Sequence, residues 1–171
     1  MSKSSLIISK SSYVAGEGEF RVQTVAAADL AVVNGIIASA VESWPVPGRL
    51  KRLSLPLLQY SEADLAEFQC FVLVQGGNSK GVAVLSRDTS FVGRHETRCA
   101  LLHGLYVQAD SQRSGVGRNL QQAVANRARE SGCEGLLVKA QRVSRSYFED
   151  QGYVACVSPG VDYPYLYWRA I

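Results

Sequence analysis

The chain has 171 residues, a length that suits one domain, and its 47% apolar and 19% charged content exclude disorder throughout. Eighteen Lys and Arg against fifteen Asp and Glu leave a formal charge of +3, with a pI near 8.7. That mild excess suits a small anionic ligand and falls short of the pI above ~9 and the clustered basic stripe of a nucleic-acid binder.

Residues 1–18, ending in Gly16-Glu17-Gly18, read as an N-terminal tail or a peripheral strand, and 19–171 as a single domain. Phe20, Val22 and Thr24 alternate with Arg21 and Gln23, which predicts a strand over 20–25. A helix is predicted over 26–43, because Leu30, Val33, Ile37 and Val41 share one face and Asp29 sits in the first turn. Pro45 and Pro47 stop it. The stretch 48–59 is basic, then apolar, and is broken by Pro56. Arg49, Lys51 and Arg52 form a basic patch there, either a solvated turn or a seat for an acidic substrate. A short helix is predicted over 61–68, with Ser61 as cap and Asp64 three residues on. Apolar runs at 70–75 and 81–87 flank Gly76-Gly77-Asn78, the pattern of a β-hairpin. A strand over 98–108 precedes a helix over 115–131, in which Val116, Leu120, Val124 and Ala128 fall four apart and Gly132 is placed to end it. A strand over 135–140, a short helix over 143–150 and paired strands at 154–157 and 163–169 complete the chain. This order, β-α-α-β-β-β-α-β-α-β-β, implies an α/β fold with a mixed sheet and helices on both faces.

The longest uncharged stretches, 30–41 and 68–79, run 12 residues each, whereas a membrane span needs roughly 18 or more apolar residues. The polar start, 1–12, does not resemble a secretory signal. Cys70, Cys99, Cys133 and Cys156 stand 29, 34 and 23 apart, with only His95 and His103 to join them, so no metal site is expected. Buried free thiols in a reducing cytoplasm are the expectation.

The segment that carries chemistry runs through Leu101-Leu102-His103-Gly104-Leu105-Tyr106-Val107 into Gln112-Arg113-Ser114-Gly115-Val116-Gly117-Arg118. A strand enters a glycine-bearing turn that opens a helix, and the first N–H groups of a helix have no partner within it. Glycines allow close backbone approach, and Arg113 and Arg118 add charge beside this anion cradle, so a diphosphate is its natural guest. No Gly-Lys-Ser/Thr follows, which excludes a P-loop, and Leu120 stands where a dinucleotide fingerprint needs its third glycine.

Gln112-x-x-Gly115-x-Gly117 after a hydrophobic strand resembles motif A of the GNAT superfamily of acyl-CoA-dependent N-acetyltransferases. Tyr147-Phe148-Glu149-Asp150-Gln151-Gly152-Tyr153 is similar to the family's motif B, an aromatic pair on a short helix that ends in Gly-Phe or Gly-Tyr. The resemblance implies a mostly antiparallel sheet whose fourth and fifth strands splay apart, with the pantetheine arm of acetyl-CoA between them. Leu105, Tyr106 and Val107 would flank that arm, the backbone of Leu105 and Val107 pairing with it like an added strand. One of those N–H groups would polarise the thioester carbonyl, as oxyanion donors do. Backbone N–H groups of Arg113, Ser114, Gly115, Val116, Gly117 and Arg118 would hold the diphosphate, with Gln112 of the motif also at the cofactor. Gln141 stands where the family commonly has an asparagine facing the cofactor.

An ammonium has no lone pair, so the acceptor amine must give up a proton to a base. Several family members use a glutamate on strand four, and this strand has none. His103 shares the parity of Leu101 and is the candidate base, with an acidic limb of activity expected near the ordinary histidine value of about 6.5; the alternatives are a hydrogen-bonded structural histidine here, with the proton going to a carboxylate or to water. The family's usual thiol-protonating tyrosine, four residues before the motif B glycine, is Phe148 here. Tyr147 is the neighbouring candidate acid, with packing or cofactor contact as its other reading. Trp44 and Tyr60, with Tyr163 and Tyr165, would line the acceptor side or serve as ordinary core.

The activity implied is transfer of an acetyl group from acetyl-CoA to a primary amine by direct attack in a ternary complex, since no cysteine stands in a nucleophile motif. A small-molecule amine is the expected acceptor, a protein lysine or N-terminus the alternative. A non-catalytic acyl-CoA-binding module is the rival from another class. No metal, nucleic acid or membrane partner is expected, and a homodimer is allowed.

Overall fold

A computed structural model describes residues 20–26 and 29–171. The expected tail at 1–18 lies outside the described residues. Among the described residues eight strands form one sheet: β1 (Arg21–Thr24), β2 (Phe68–Gln75), β3 (Asn78–Ser86), β4 (Phe91–Val92), β5 (Arg98–Val107), β6 (Gly135–Lys139), β7 (Val154–Ala155) and β8 (Leu166–Ala170). Their spatial order is β1-β2-β3-β5-β6-β8-β7, with the short β4 pairing β5. Every pairing is antiparallel except β5 with β6. Four helices accompany them among the described residues: α1 (Leu30–Glu42), α2 (Gly48–Leu58), α3 (Val116–Glu130) and α4 (Arg145–Asp150).

Period-2 strands and period-3.6 helices sort the apolar residues into two layers. On one face, Val33, Ile36, Ile37, Ala40 and Val41 of α1 bury against Val72, Val82, Val84 and Tyr106. On the other, Val116, Leu120, Val124 and Ala128 of α3 pack on Leu73, Ala83, Leu85, Leu102 and Val138, joined by Phe148 of α4. Helices therefore cover both faces, as expected. The hairpin turn is Gly76 (φ 56°) and Gly77 (φ 77°), two left-handed residues whose twist matches that of the strands they join.

Two predicted segments differ. The stretch 48–59 is not broken at Pro56 but forms α2, which contains that proline and ends two residues later. A proline so near the helix end removes a single donor, and little helix lies beyond it to be broken. The helix predicted over 61–68 shrinks to a 3-10 turn, Ala63–Ala66. There the Ser61 N–H and hydroxyl both donate to Asp64 Oδ2 (2.6 and 2.7 Å), while Phe68 is drawn into β2 opposite Ser86. The two-residue β4 was too short to show any periodicity.

Two irregularities in β5 position the site. Val84 pairs with Gly104 and Leu85 with Leu102, so His103 is the extra residue of a β-bulge. The parallel pairing with β6 ends at Leu102 opposite Val138, although β5 continues to Val107. Beyond that point the two strands fork, the splay expected from the resemblance.

Candidate active site

A cleft of about 530 Å³ opens along the fork. Gly104, Leu105, Tyr106 and Val107 of β5 line one side, and Lys139, Gln141, Tyr147 and Phe148 the other. Gln112, Arg113, Gly115, Gly117 and Arg118 line the α3 end, and Ser43, Trp44 and Pro45 contribute from the end of α1. Most of the cofactor-contact candidates read from the sequence thus come together in one cavity. Ser114 and Val116 do not line it: the Ser114 hydroxyl donates to the Ser111 carbonyl (2.5 Å), and Val116 is buried in the core.

The backbone of β5 meets this cleft at its open edge. Gln108 N–H donates to the Lys80 carbonyl across β3 (2.9 Å). Alternation along an antiparallel strand turns the N–H and C=O of Leu105 and Val107 to the opposite edge, where β6 has diverged. The Gln112 amide ties the following turn down, donating to Ser43 Oγ (2.8 Å) and the Val107 carbonyl (3.4 Å).

At the helix start, Arg113 (φ 61°) and Gly115 (φ 87°) take left-handed conformations. The first bond of α3 runs from Asn119 N–H to the Gly115 carbonyl (3.0 Å). The N–H groups of Val116, Gly117 and Arg118 precede it and point out of the helix end, a seat for an anion. The two glycines serve different needs. Gly115 supplies a positive φ, and a Cβ there would meet nothing nearer than 3.7 Å. Gly117 supplies space, since its Cβ would lie 2.7 Å from Tyr147 Oη.

That contact locates Tyr147. Its hydroxyl accepts a hydrogen bond from Gln121 Nε2 of α3 (2.7 Å), and burial raises its pKa. It stands beside the anion seat at the start of α3. Phe148, 3% exposed, packs edge-on against Tyr147 and Tyr153. Gln141 Nε2 donates to Tyr163 Oη (3.3 Å).

A second cavity, of about 770 Å³, lies on the α1 side of the sheet. His103, Phe68, Phe91 and Lys139 line it, with Glu67, Asp88 and Asp162 as its carboxylates and Arg87 as a further cation. Lys139, the last residue of β6, borders both cavities. The His103 ring stacks on Phe68 (4.5 Å between centroids) and shares a 2.8 Å hydrogen bond through Nδ1 with Tyr60 Oη. Burial first, and then the Lys139 charge, lower the His103 pKa to about 4. The imidazole is therefore neutral at physiological pH, and the limb expected near 6.5 moves down accordingly. Burial likewise holds the Tyr60 phenol well above its usual range.

Of the aromatic residues read as an acceptor wall, Trp44 lines the first cleft, whereas Tyr60 is buried in the core under α1 and lines neither cavity. Tyr163 packs beside Lys139, whose Nζ lies 5.7 Å from its ring centre. Tyr165 packs with the α3-side core, across the sheet from His103, under the guanidinium of Arg145 (5.1 Å). In the basic patch, Lys51 pairs with Glu42 through its carbonyl and carboxylate. The sequence reading missed Lys139, although it is the only charge within an apolar strand. It also missed Asn34 of α1, which grips Tyr60 at both backbone groups: Asn34 Nδ2 donates to the Tyr60 carbonyl (2.8 Å), and Tyr60 N–H donates to Asn34 Oδ1 (2.9 Å).

Comparison with curated protein sequences found no match. Among solved structures, the fold is similar to a GCN5-related N-acetyltransferase from Rhodopseudomonas palustris, with TM-score 0.69 and 19% identity over 88% of this chain and 94% of that one. It is similar also to the PaiA N-acetyltransferase from Thermoplasma acidophilum in complex with coenzyme A, with TM-score 0.70 and 12% identity over 89% and 99%. A third is a GNAT family acetyltransferase from Brucella melitensis in complex with acetyl-CoA, with TM-score 0.57 and 18% identity over 88% and 96%. At these identities the likeness establishes the fold. The family model described as "Acetyltransferase (GNAT) domain" matches residues 58–163, more than half of the chain. That span holds β5, its forked neighbour and the turn into α3, and with it the chain belongs to the GNAT family of acetyltransferases.

Proposed function

We propose that this acetyltransferase moves an acetyl group from acetyl-CoA to a primary amine of a small molecule, by direct attack in a ternary complex. One observation carries the reading: two cavities meet at Lys139, one ending at a helix N-terminus and the other bearing a neutral histidine. The diphosphate belongs at the backbone of residues 113–118, with Arg113 and Arg118 beside it. The pantetheine arm lies along β5, bonded to the outward groups of Leu105 and Val107, and one of those N–H groups polarises the thioester carbonyl. The amine occupies the second cavity, whose volume suits a small molecule. Its carboxylates, Glu67, Asp88 and Asp162, draw in an ammonium, which gives one proton to water before its lone pair can attack, and His103 takes the second, lost as the N–C bond forms. Two of the solved relatives carry coenzyme A or acetyl-CoA, which supports the choice of donor.

Direct attack is favoured over an acetyl-cysteine intermediate by the state of the thiols. Cys70, Cys99 and Cys133 are buried, none of the four lines either cavity, and burial pushes the Cys70 thiol up to about 11. A thiol held protonated is a poor nucleophile. Tyr147 stands beside the diphosphate seat, bonded to Gln121, and a pantetheine arm running from that seat along β5 would carry the sulfur away from it. We read it as a wall of the cradle rather than as the acid.

The test is calorimetric titration with coenzyme A, followed by a screen of acetyl-CoA consumption against pooled amines, polyamines, amino acids and peptides. Turnover with a small amine is expected. Turnover confined to peptides identifies a protein acetyltransferase, and tight binding without turnover identifies an acyl-CoA-binding module.

A further inference from the structure

Tyr60 lines neither cavity itself, but its hydroxyl stands between one residue of each. Its hydroxyl shares a 2.8 Å hydrogen bond with His103, on the wall of the acceptor cavity. The same oxygen lies 3.1 Å from where a Cβ on Gly104 would stand, and Gly104 lines the coenzyme cleft. Any side chain at 104 would displace the hydroxyl or the Tyr106 ring, which would be 2.7 Å away. The His103 ring, at the bulge, lies against Phe68 and meets the Tyr60 hydroxyl through Nδ1. Asn34 fixes the Tyr60 backbone at both its donor and its acceptor.

We propose that Tyr60 and His103 form a proton relay that carries the acceptor amine's proton from one cavity to the departing coenzyme A sulfur in the other. The inference rests on the transferase reading given above and assigns the acid that motif B lacks at Phe148. In the transfer step, the amine lone pair forms the N–C bond to the acetyl carbonyl carbon, and the C–S electrons leave on sulfur. The amine proton passes to His103 Nε2, the nitrogen not engaged by Tyr60. The Nδ1 proton passes to Tyr60 Oη, and the Tyr60 hydroxyl proton passes to the thiolate. The products are a neutral amide and free coenzyme A. No net charge is left on the protein; the histidine has only exchanged tautomers, which water entering the acceptor cavity resets. A buried imidazole that is neutral at physiological pH can begin this cycle, and a phenol held protonated by burial can complete it.

The experiment uses coenzyme A itself as the probe, so it does not depend on knowing the acceptor. The thiol of the bound cofactor is titrated by the ultraviolet absorbance of its thiolate, against the complex with desulfo-coenzyme A to remove tyrosine signals. A hydroxyl that donates to the sulfur stabilises the thiolate. Tyr60→Phe should therefore raise the bound thiol's pKa by about one unit, a tenfold change in its ionisation. Affinity for the desulfo analogue should stay within twofold. An unchanged thiol pKa in a folded Tyr60→Phe protein overturns the relay. Should that variant fail to fold, the wild type decides: the ¹⁵N signal of His103 Nδ1 should shift when coenzyme A binds but not when the desulfo analogue binds. Identical signals in the two complexes overturn the relay. Failure of the wild type to bind either cofactor overturns the transferase reading itself and is recognised separately, because no complex then forms.

Discussion

The cleft proposed for the coenzyme and the cavity proposed for the acceptor share one boundary residue, Lys139, yet they are assembled in opposite ways. The cleft draws its anion seat and its strand edge from one segment, the end of β5 and the turn into α3, within residues 104–118. The acceptor cavity collects Phe68 from β2, Arg87 and Asp88 after β3, His103 from the bulge and Asp162 from the loop before β8. The cleft works mainly through backbone groups, whose direction follows from strand and helix geometry. The second cavity is walled by side chains that meet only after the sheet has formed. A diphosphate is common to every acyl-CoA, whereas acceptors differ, and a dispersed cavity can change wall by wall without disturbing the cleft.

If the two regions are separable, substitutions should affect one and spare the other. The largest expected effect comes from Asn34→Ala, which strips both backbone partners from Tyr60. Leaving these part-buried groups unpaired should lower stability by about 2 kcal/mol. Turnover should fall while coenzyme A affinity stays within twofold, read by urea unfolding and calorimetry. Equal losses in affinity and turnover would show that the regions are not separable.

Gly117→Val attacks the other side. The new side chain collides with Tyr147 Oη at the mouth of the anion seat. Coenzyme A affinity should drop about tenfold, or ~1.4 kcal/mol, while the His103 ring signals in the apo protein stay in place. Unchanged affinity in a folded variant would remove this turn from the cofactor site. Gly115→Ala offers a finer contrast, because there the penalty is a positive φ with ample space around it. It should cost stability, about 1 kcal/mol, rather than close the seat.

A pH titration sharpens the comparison without mutation. The folded pKa of His103 lies near 4, below the ordinary value of the unfolded chain, about 6.5. The unfolded state therefore binds the proton first as pH falls. Stability from this group is fully present above about 6.5, is lost between there and about 4, and falls no further below it. Activity should stay level from neutral pH to about 5 and then decline around 4, with His103→Gln removing that limb. A limb near 6.5 in the wild type would mean that His103 is more solvated than its packing on Phe68 and Tyr60 implies.

The smallest effect is expected at the cysteines. Cys156→Ser, at the least buried of the four, should leave turnover within a few-fold, and mass spectrometry of protein incubated with acetyl-CoA should find no acetyl-thioester. A stable single-cysteine variant without activity, together with such an adduct, would replace direct attack by a two-step transfer.

Much of this molecule was legible in the residues themselves, for a physical reason. Period-2 alternation and four-residue spacing are local signals, and they located β2, β3, β5, α1 and α3 closely. Gly76-Gly77 specified the hairpin through left-handed dihedrals that other residues adopt at a cost, and the turn before α3 announced an anion seat through backbone geometry alone. Local signals failed where two neighbouring tendencies competed. Pro56 read as a break because its sequence position did not show how close the helix end was, and Phe68 left the predicted helix because pairing with Ser86 extended β2. Tertiary structure alone decided the bulge at His103, the fork after Leu102 and the place of Lys139 at the boundary between the cavities. It also decided the contacts of Asn34 with Tyr60, 26 residues apart, and of Tyr60 with His103, 43 apart. Register and side-chain meetings of this kind depend on which strands pair and how two layers pack, and no local pattern in the chain encodes the distance between residues so far separated.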